Sequence, residues 1–214
     1  MPSSPPSATA AAGARSAAYL AMRSAETGTE PRAATPADAF RAAVRAFIRG
    51  PRLDMGRLAD ELSISKATLY RWTGPRDQLL ADLLTYLSQN TFKDALARTE
   101  QLEGAERFLA AMRLYVEQLA SFAPLRHFIQ TETPLALRLL TQRGSLPQSD
   151  ALQMITELLT FEHNVHGMPL RAPADTLAYA ITRMTEGFIY NDPVAGIEPD
   201  VDAAIHITGL LLIA

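Results

Sequence analysis

The feature that most constrains this chain is residues 54–80, DMGRLADELSISKATLYRWTGPRDQLL, where a break of two residues separates two short helix-forming segments. The first segment has apolar residues at i, i+3, i+4 and i+7, the spacing of one buried helix face: Met55, Leu58, Ala59 and Leu62. Asp54 precedes this stripe and is a favourable N-cap. Ser63 and Ile64 end the run, so the pattern predicts two helices joined by a tight turn.

The second segment begins with a helix-capping signal at Ser65. The first turn of that helix would hold Lys66, Ala67 and Thr68. At this end the free backbone N–H groups and the helix dipole present positive charge, which suits phosphate groups and base edges. The pair of helices is therefore typical of a helix-turn-helix that reads DNA.

The stretch ISKATLYRWTGPRDQLL resembles the TetR family of transcriptional regulators. In that family Ser-Lys/Arg-x-Thr-Leu-Tyr forms the recognition helix, and a Lys/Arg-Asp/Glu-x-Leu step opens the next helix. The matching positions here are Ser65, Lys66, Thr68, Leu69, Tyr70, Arg76, Asp77 and Leu79. One position departs from the pattern, because the family usually has an apolar aromatic residue where this chain has Thr73. Trp72 could replace that aromatic by turning inward.

The resemblance implies a role for each side chain of this surface. The residues implied in phosphate contacts are Lys66, Tyr70 and Arg76. Those implied in base contacts in the major groove are Ala67, Thr68 and Arg71. Leu69 would be core, and Trp72 has two open roles, packing at the helix end or contact with the DNA backbone. An ordinary capped surface helix is the alternative, and the surrounding pattern makes it the weaker interpretation.

Composition and charge favour an all-α protein whose N-terminal part faces DNA. The 214 residues are 48% hydrophobic, rich in Ala and Leu, with few β-branched runs. The formal net charge is -3, but its sign changes along the chain. Residues 38–92 carry eight basic and six acidic side chains, whereas the residues from 93 onward carry nine basic and fifteen acidic ones. This asymmetry is modest and points the N-terminal unit toward phosphate.

The chain has no cysteine, which excludes disulfides and thiolate metal sites and is compatible with a reducing compartment. Its longest apolar run, residues 205–214, is too short to span a bilayer. The first residues do not have the pattern of a targeting signal. We therefore expect a cytoplasmic protein with no membrane partner.

The chain divides into three parts by composition. Residues 1–36 are rich in Ala, Ser, Pro and Thr, so we expect a flexible, disordered arm, in which Ala14 to Met22 could form a transient helix. Residues 37–82 would form a three-helix DNA-binding domain with the helix-turn-helix. Residues 83–214 would form a helical effector-binding and dimerisation domain, cut into segments by prolines. A long apolar stripe from Leu79 to Leu96 would link the two domains.

The stretch RMTEGFIYND, residues 183–192, resembles the C-terminal domain of the QsdR-type subgroup of TetR regulators. Arg183, Glu186 and Tyr190 lie at i, i+3 and i+7, so one helix face would carry an ion pair with a hydroxyl nearby. If that face lines a cavity, the trio would anchor an otherwise apolar ligand. A structural ion pair that fixes helix packing or a dimer interface is at least as well supported by the sequence.

Three further residues are candidates for a pocket wall: Tyr115, His127 and Gln130. Each could equally be a partly exposed helix residue without a partner. Glu162 and His166 share a helix face, but no second cluster of metal-ligand spacing accompanies them, so we predict neither a metal nor a cofactor. We also predict no enzyme, because the sequence lacks a Gly-rich phosphate loop, a GxSxG elbow and a cysteine nucleophile.

The sequence thus predicts an all-α, homodimeric regulator, most simply a repressor that binds a palindromic double-stranded DNA operator and is released by a small, largely apolar effector. Dimerisation through the late helices follows from the resemblance, and a two-fold operator follows from the dimer. The alternative is a helical ligand-binding or interaction protein without specific operator binding.

Overall fold

The fold is all-α, which confirms the fold class predicted from the sequence. The computed structural model describes residues 15–24, 34–50, 52–191 and 194–212, and it contains no strand within them. The helices are α1 (Ala17–Ser24), α2 (Pro36–Ile48), α3 (Met55–Glu61), α4 (Lys66–Thr73), α5 (Arg76–Ala97), α6 (Gly104–Ser121), α7 (Ala123–Thr131), α8 (Thr133–Thr141), α9 (Leu146–His166), α10 (Ala174–Glu186) and α11 (Val201–Leu212). A π-helical turn, Gly187–Asn191, continues α10.

Helix α2 braces the pair α3 and α4. It begins at a capping box, in which the Thr35 hydroxyl accepts a hydrogen bond from the Asp38 N–H and the Asp38 carboxylate accepts one from the Thr35 N–H. Its buried face includes Phe40 and Phe47, which belong to the same apolar core as Leu69 of α4. The three helices therefore form one unit that holds α4 at the surface.

The long helix α5 connects this unit to the rest of the chain. It packs against α6 and α9, while α10 packs on α9 and α11 packs on α6. The short helices α7 and α8 each carry a proline in the first turn, Pro124 and Pro134, where the missing N–H costs no hydrogen bond. Along the described ranges of the chain, no helix has both the length and the apolar character needed to cross a membrane.

The N-terminal helix α1 lies where the sequence allowed a transient helix, but its packing contradicts the expected disorder for residues 15–24. Tyr19 is fully buried and packs edge-to-face on Phe40, with ring centroids 5.5 Å apart. The Ser16 N–H donates to Asp82 of α5 at 2.9 Å, and the Arg15 guanidinium donates to Asp150 of α9 at 2.9 Å. Composition alone misjudged this segment because its partners lie far along the chain. Of the remainder of the expected arm, residues 1–14 and 25–33 lie outside the described residues, and residues 34–36 lead into α2.

Candidate functional site

Local hydrogen bonds hold α3 and the turn that follows it, and the cap predicted at Asp54 is present. The Asp54 carboxylate caps α3 by accepting from the Gly56 N–H at 2.7 Å and the Arg57 N–H at 3.1 Å, and these donations lower the pKa of Asp54. Within the turn, Ser63 has a φ of 53°, a left-handed conformation that side chains other than glycine adopt at a cost. The Ile64 N–H then returns to the Ala59 carbonyl at 3.0 Å. The result is a compact turn that fixes α4 relative to α3.

Helix α4 presents one exposed face. Ser65 caps it by accepting a hydrogen bond from the Thr68 N–H at 3.1 Å, and the two hydroxyls share another at 2.9 Å. Leu69 is fully buried beneath the helix. The exposed side chains are Lys66, Ala67, Tyr70 and Arg71. A rigid helix of this kind can carry a cation, a small residue and a phenol toward a groove of DNA.

Thr73, the residue that departs from the family pattern, itself occupies the buried site where the family usually has an aromatic side chain. Thr73 is fully buried, and its hydroxyl is in hydrogen-bond contact with the Leu69 and Gly74 carbonyl oxygens, each at 3.0 Å. Trp72 is only partly buried and packs beside the core. Trp72 therefore packs beside the core without taking the buried position, because Thr73 stays inside with its hydroxyl satisfied.

A phosphate contact by Arg76 would require its side chain to be free at the surface. The structure shows that it is not free. Its Nε donates to the Leu53 carbonyl at 2.8 Å, and its Nη1 donates to the Glu132 carboxylate at 2.8 Å. Only 17% of the Arg76 side chain is exposed. Because this guanidinium is already paired, Arg76 links the start of α5 to the α7–α8 junction, and we remove it from the phosphate contacts. We call this arrangement of Leu53, Arg76 and Glu132 the clasp.

A second candidate site is a cavity of about 650 Å³ enclosed mainly by α5, α6, α7, α9 and α10. Most of its wall is apolar, with contributions such as Leu87 of α5, Leu119 of α6, Leu125 of α7 and Ile155 of α9. The volume lies in the range of small-molecule binding sites. The cavity can therefore hold a compact organic molecule with a largely apolar body.

The polar groups of this cavity come chiefly from α6 and from α10 with its π-helical extension. The Tyr115 hydroxyl shares a hydrogen bond of 2.7 Å with Ser88, and burial raises the pKa of Tyr115 to about 12. The Glu186 carboxylate accepts from Arg183 at 2.7 Å through Oε2, whereas its buried Oε1 has no hydrogen-bond partner. Burial raises the pKa of Glu186, and the nearby Arg183 only partly offsets this.

The structure brings together half of the residues proposed for a ligand site. Tyr115, Glu186 and Tyr190 line the cavity, and burial raises the pKa of Tyr190. Arg183 does not line it; its Nη1 donates to the Thr141 carbonyl at 2.6 Å as well as to Glu186. The ion-pair alternative is therefore present at Glu186 Oε2, while the anchor hypothesis stays a prediction that concerns the unpartnered Oε1.

The other two predicted wall residues lie elsewhere. His127 and Gln130 are exposed on α7, away from the cavity lining, because the inward face of that helix is taken by apolar residues. Thr182, a buried cavity residue whose hydroxyl has no partner, was not among the residues predicted from the sequence. Its position four residues before Glu186, hence on the same helix face, was the available signal. Asp192 lies outside the described residues.

Glu162 has a structural role in place of the metal interpretation. It is fully buried and accepts hydrogen bonds from the Gly104 N–H at 2.8 Å and from Arg107 at 2.9 Å. His163 contacts the Met168 carbonyl at 2.8 Å through Nδ1, and His166 lies 3.9 Å from Glu162. Within the described residues no group of three or more His, Asp or Glu side chains is arranged so that it could hold a metal ion. Glu162 instead holds the start of α6 against α9.

Comparison with known proteins places these features in a family. Residues 103–213 match the family model described as tetracyclin repressor-like, C-terminal domain. The structure of the R. erythropolis transcriptional repressor QsdR from the TetR family is similar, with a TM-score of 0.73 and 25% identity over 81% of this chain and 92% of that chain. The fatty acid degradation regulator FadR from Bacillus halodurans shares the fold, with a TM-score of 0.57 and 13% identity over 88% and 96% of the two chains. A search of curated proteins found no match.

Proposed function

The chain belongs to the TetR family of transcriptional regulators, and from that premise we propose that it is a repressor that binds a palindromic operator as a homodimer and leaves it when a small, largely apolar effector binds. The observation that carries the proposal is the coexistence of an exposed, capped helix α4 with a separate cavity of about 650 Å³ in the C-terminal part. One element can read DNA while the other senses a molecule. The proposed place of action is the cytoplasm.

The proposed DNA contacts come from the exposed face of α4. Lys66 and Tyr70 would hold phosphates, and Arg71, with Ala67 and Thr68 beside it, would approach base edges in the major groove. Tyr70 is 45% exposed although its ring is apolar, which suits packing on a sugar with the hydroxyl at a phosphate. Trp72 would support the end of the helix by packing on the core.

The proposed dimer would form through the late helices. Large apolar side chains remain exposed there in the single chain: Phe161 and Val165 of α9, Tyr179 of α10, and Ile207 and Leu210 of α11. Pairing of these helices with their copies would remove such surface from water. A two-fold dimer would then place two α4 helices on successive major grooves.

The clasp provides a route between the two sites. Helix α7 lines the cavity with Leu125 near its start, and Glu132, directly after its last residue, binds Arg76 at the start of α5. An effector that moves α7 would therefore shift the position of α5 and, through the Leu53 carbonyl, the start of α3. We propose that the effector selects a dimer geometry in which the two α4 helices no longer match the operator.

The direct test is a gel-shift on the promoter next to the protein's own gene. The wild type should give a specific shift at moderate salt, and Arg71→Ala should weaken it about tenfold or more, the usual cost of losing a base contact. Arg143→Ala removes an exposed arginine far from α4 in sequence and should leave binding unchanged. A chain without a specific shift would instead be a helical ligand-binding protein.

A further inference from the structure

We propose that the cavity binds a molecule whose apolar body ends in a hydrogen-bond donor, as an alcohol or an ammonium group does, and that it discriminates against carboxylates of the same length. The inference rests on the proposed function, because it names the chemistry of the effector. It also separates this site from one that recognises a fatty acid by its carboxylate.

The charge of the cavity wall is the first observation. Among the described residues that line it, Glu186 is the one charged side chain, and no Lys, Arg or His is present. The guanidinium of Arg183 lies outside the lining and is already bound to Glu186 Oε2 and to the Thr141 carbonyl. A carboxylate ligand would therefore enter an apolar cavity with no free cation to receive it.

Unpartnered polar atoms are the second observation. Glu186 is 6% exposed and Thr182 is 4% exposed, yet neither Glu186 Oε1 nor the Thr182 hydroxyl has a hydrogen-bond partner. The two residues lie one turn apart on α10 and both line the cavity. Buried polar atoms are almost always satisfied in native proteins, so two exceptions on neighbouring residues that line a cavity point to a ligand.

The chemistry of these atoms selects the ligand group. A carboxylate oxygen only accepts hydrogen bonds, so Glu186 Oε1 requires a donor from the ligand. An N–H or O–H of the ligand can be shared with the Thr182 hydroxyl, which both accepts and donates. A ligand carboxylate would instead place two like charges together in a site of low polarity, where their repulsion is poorly screened.

The test uses the full-length protein without DNA and three probes of equal chain length: 1-decanol, decylamine and decanoate. Binding is measured by calorimetry and by the rise in thermal unfolding temperature, at about pH 7.5, where decylamine is cationic and decanoate anionic. We expect decanol or decylamine, or both, to bind at least about tenfold more tightly than decanoate. The proposal is overturned if decanoate matches the better of the other two, or if neither decanol nor decylamine binds.

Two variants assign the preference to Glu186. Glu186→Gln keeps the size of the side chain but removes its charge, so decylamine should lose about tenfold in affinity while decanoate gains. Glu157→Gln makes the same change at an exposed position of α9 outside the cavity and should change neither. An equal loss of decylamine binding in both variants would contradict the assignment.

Failure of this inference and failure of the proposed function give different results. Probe binding is measured without an operator, so it can succeed in a chain that binds no DNA. Conversely, a chain that gives a specific gel-shift but prefers decanoate would retain the regulator function and lose only the ligand class proposed here.

Discussion

The α3–α4 unit and the C-terminal cavity differ in whether their polar side chains have hydrogen-bond partners. Around α4, the hydroxyls of Ser65 and Thr73 both have partners within a few residues. Around the cavity, the Thr182 hydroxyl and one oxygen of Glu186 are buried without partners. A satisfied polar group contributes to stability, whereas an unsatisfied one costs free energy until something pairs with it. The polar groups of the DNA-reading unit thus stabilise one conformation, whereas the cavity keeps unpaired polar atoms that can form hydrogen bonds with a ligand.

The largest effect should come from the core beneath α4. Leu69→Ala removes a fully buried side chain and should lower the free energy of unfolding by about 3 kcal/mol, because it loses apolar burial and leaves a void. Urea unfolding followed by circular dichroism measures this change. Operator binding should fall with it, and a loss below about 1 kcal/mol would show that α4 is not anchored as described.

Removal of the cap should have a smaller effect. Ser65→Ala leaves the Thr68 N–H without its acceptor and should cost about 1 kcal/mol of stability. The conservative variant Ser65→Thr keeps a capping oxygen and should retain most of that stability. If alanine and threonine behave alike in urea unfolding, the hydroxyl does not cap α4.

A matched pair of threonines tests the comparison directly. Thr182→Val removes an unpartnered buried hydroxyl at constant shape and should raise the stability by about 0.5 kcal/mol. Thr73→Val removes a hydroxyl that contacts two carbonyl oxygens and should lower it by a similar amount, about 0.5 kcal/mol. If both variants changed the stability in the same direction, the two regions would not differ in how their buried hydroxyls are paired.

The smallest effect is a pH dependence at Glu186. Since burial raises the pKa of this carboxyl, the folded state holds the proton more tightly than the unfolded state does. The protonated carboxyl therefore contributes fully to the stability of the fold when the pH is below the ordinary pKa of a glutamate. This contribution is lost as the pH rises through the raised pKa of Glu186. Glu186→Gln should be the more stable protein near neutral pH, with a difference that shrinks on acidification. Urea titrations across the acidic range measure it, and a difference that grows toward low pH would reverse the sign.

The same contrast explains how far the sequence could be interpreted. The caps at Asp54 and Ser65 and the burial of Leu69 were predictable because each depends on neighbours a few residues away. The resemblance assigned Arg76 to phosphate, and its actual pairing could not be seen locally because its partner, Glu132, lies 56 positions further along the chain. Helix spacing predicted that Glu186 lies on a polar face of its helix. The sequence could not show that this face lines a cavity, because four other helices form most of the rest of the wall. The role of Trp72 stayed open between packing and a DNA contact because no local rule says which of two adjacent side chains turns inward.

Helix α1 has a consequence for attempts to exchange DNA-reading units between related regulators. Its Tyr19 packs on Phe40 of α2, while Ser16 and Arg15 bind Asp82 of α5 and Asp150 of α9. A chimera that takes only residues 37–82 from this chain would carry Phe40 and Asp82 without their partners Tyr19 and Ser16, and would leave Arg15 and Asp150 behind. The transferable unit must therefore include residues 15–24 and the surface of the recipient's helices that receives them, so this regulator is less modular than its division into an arm, a DNA-binding domain and a C-terminal domain implies.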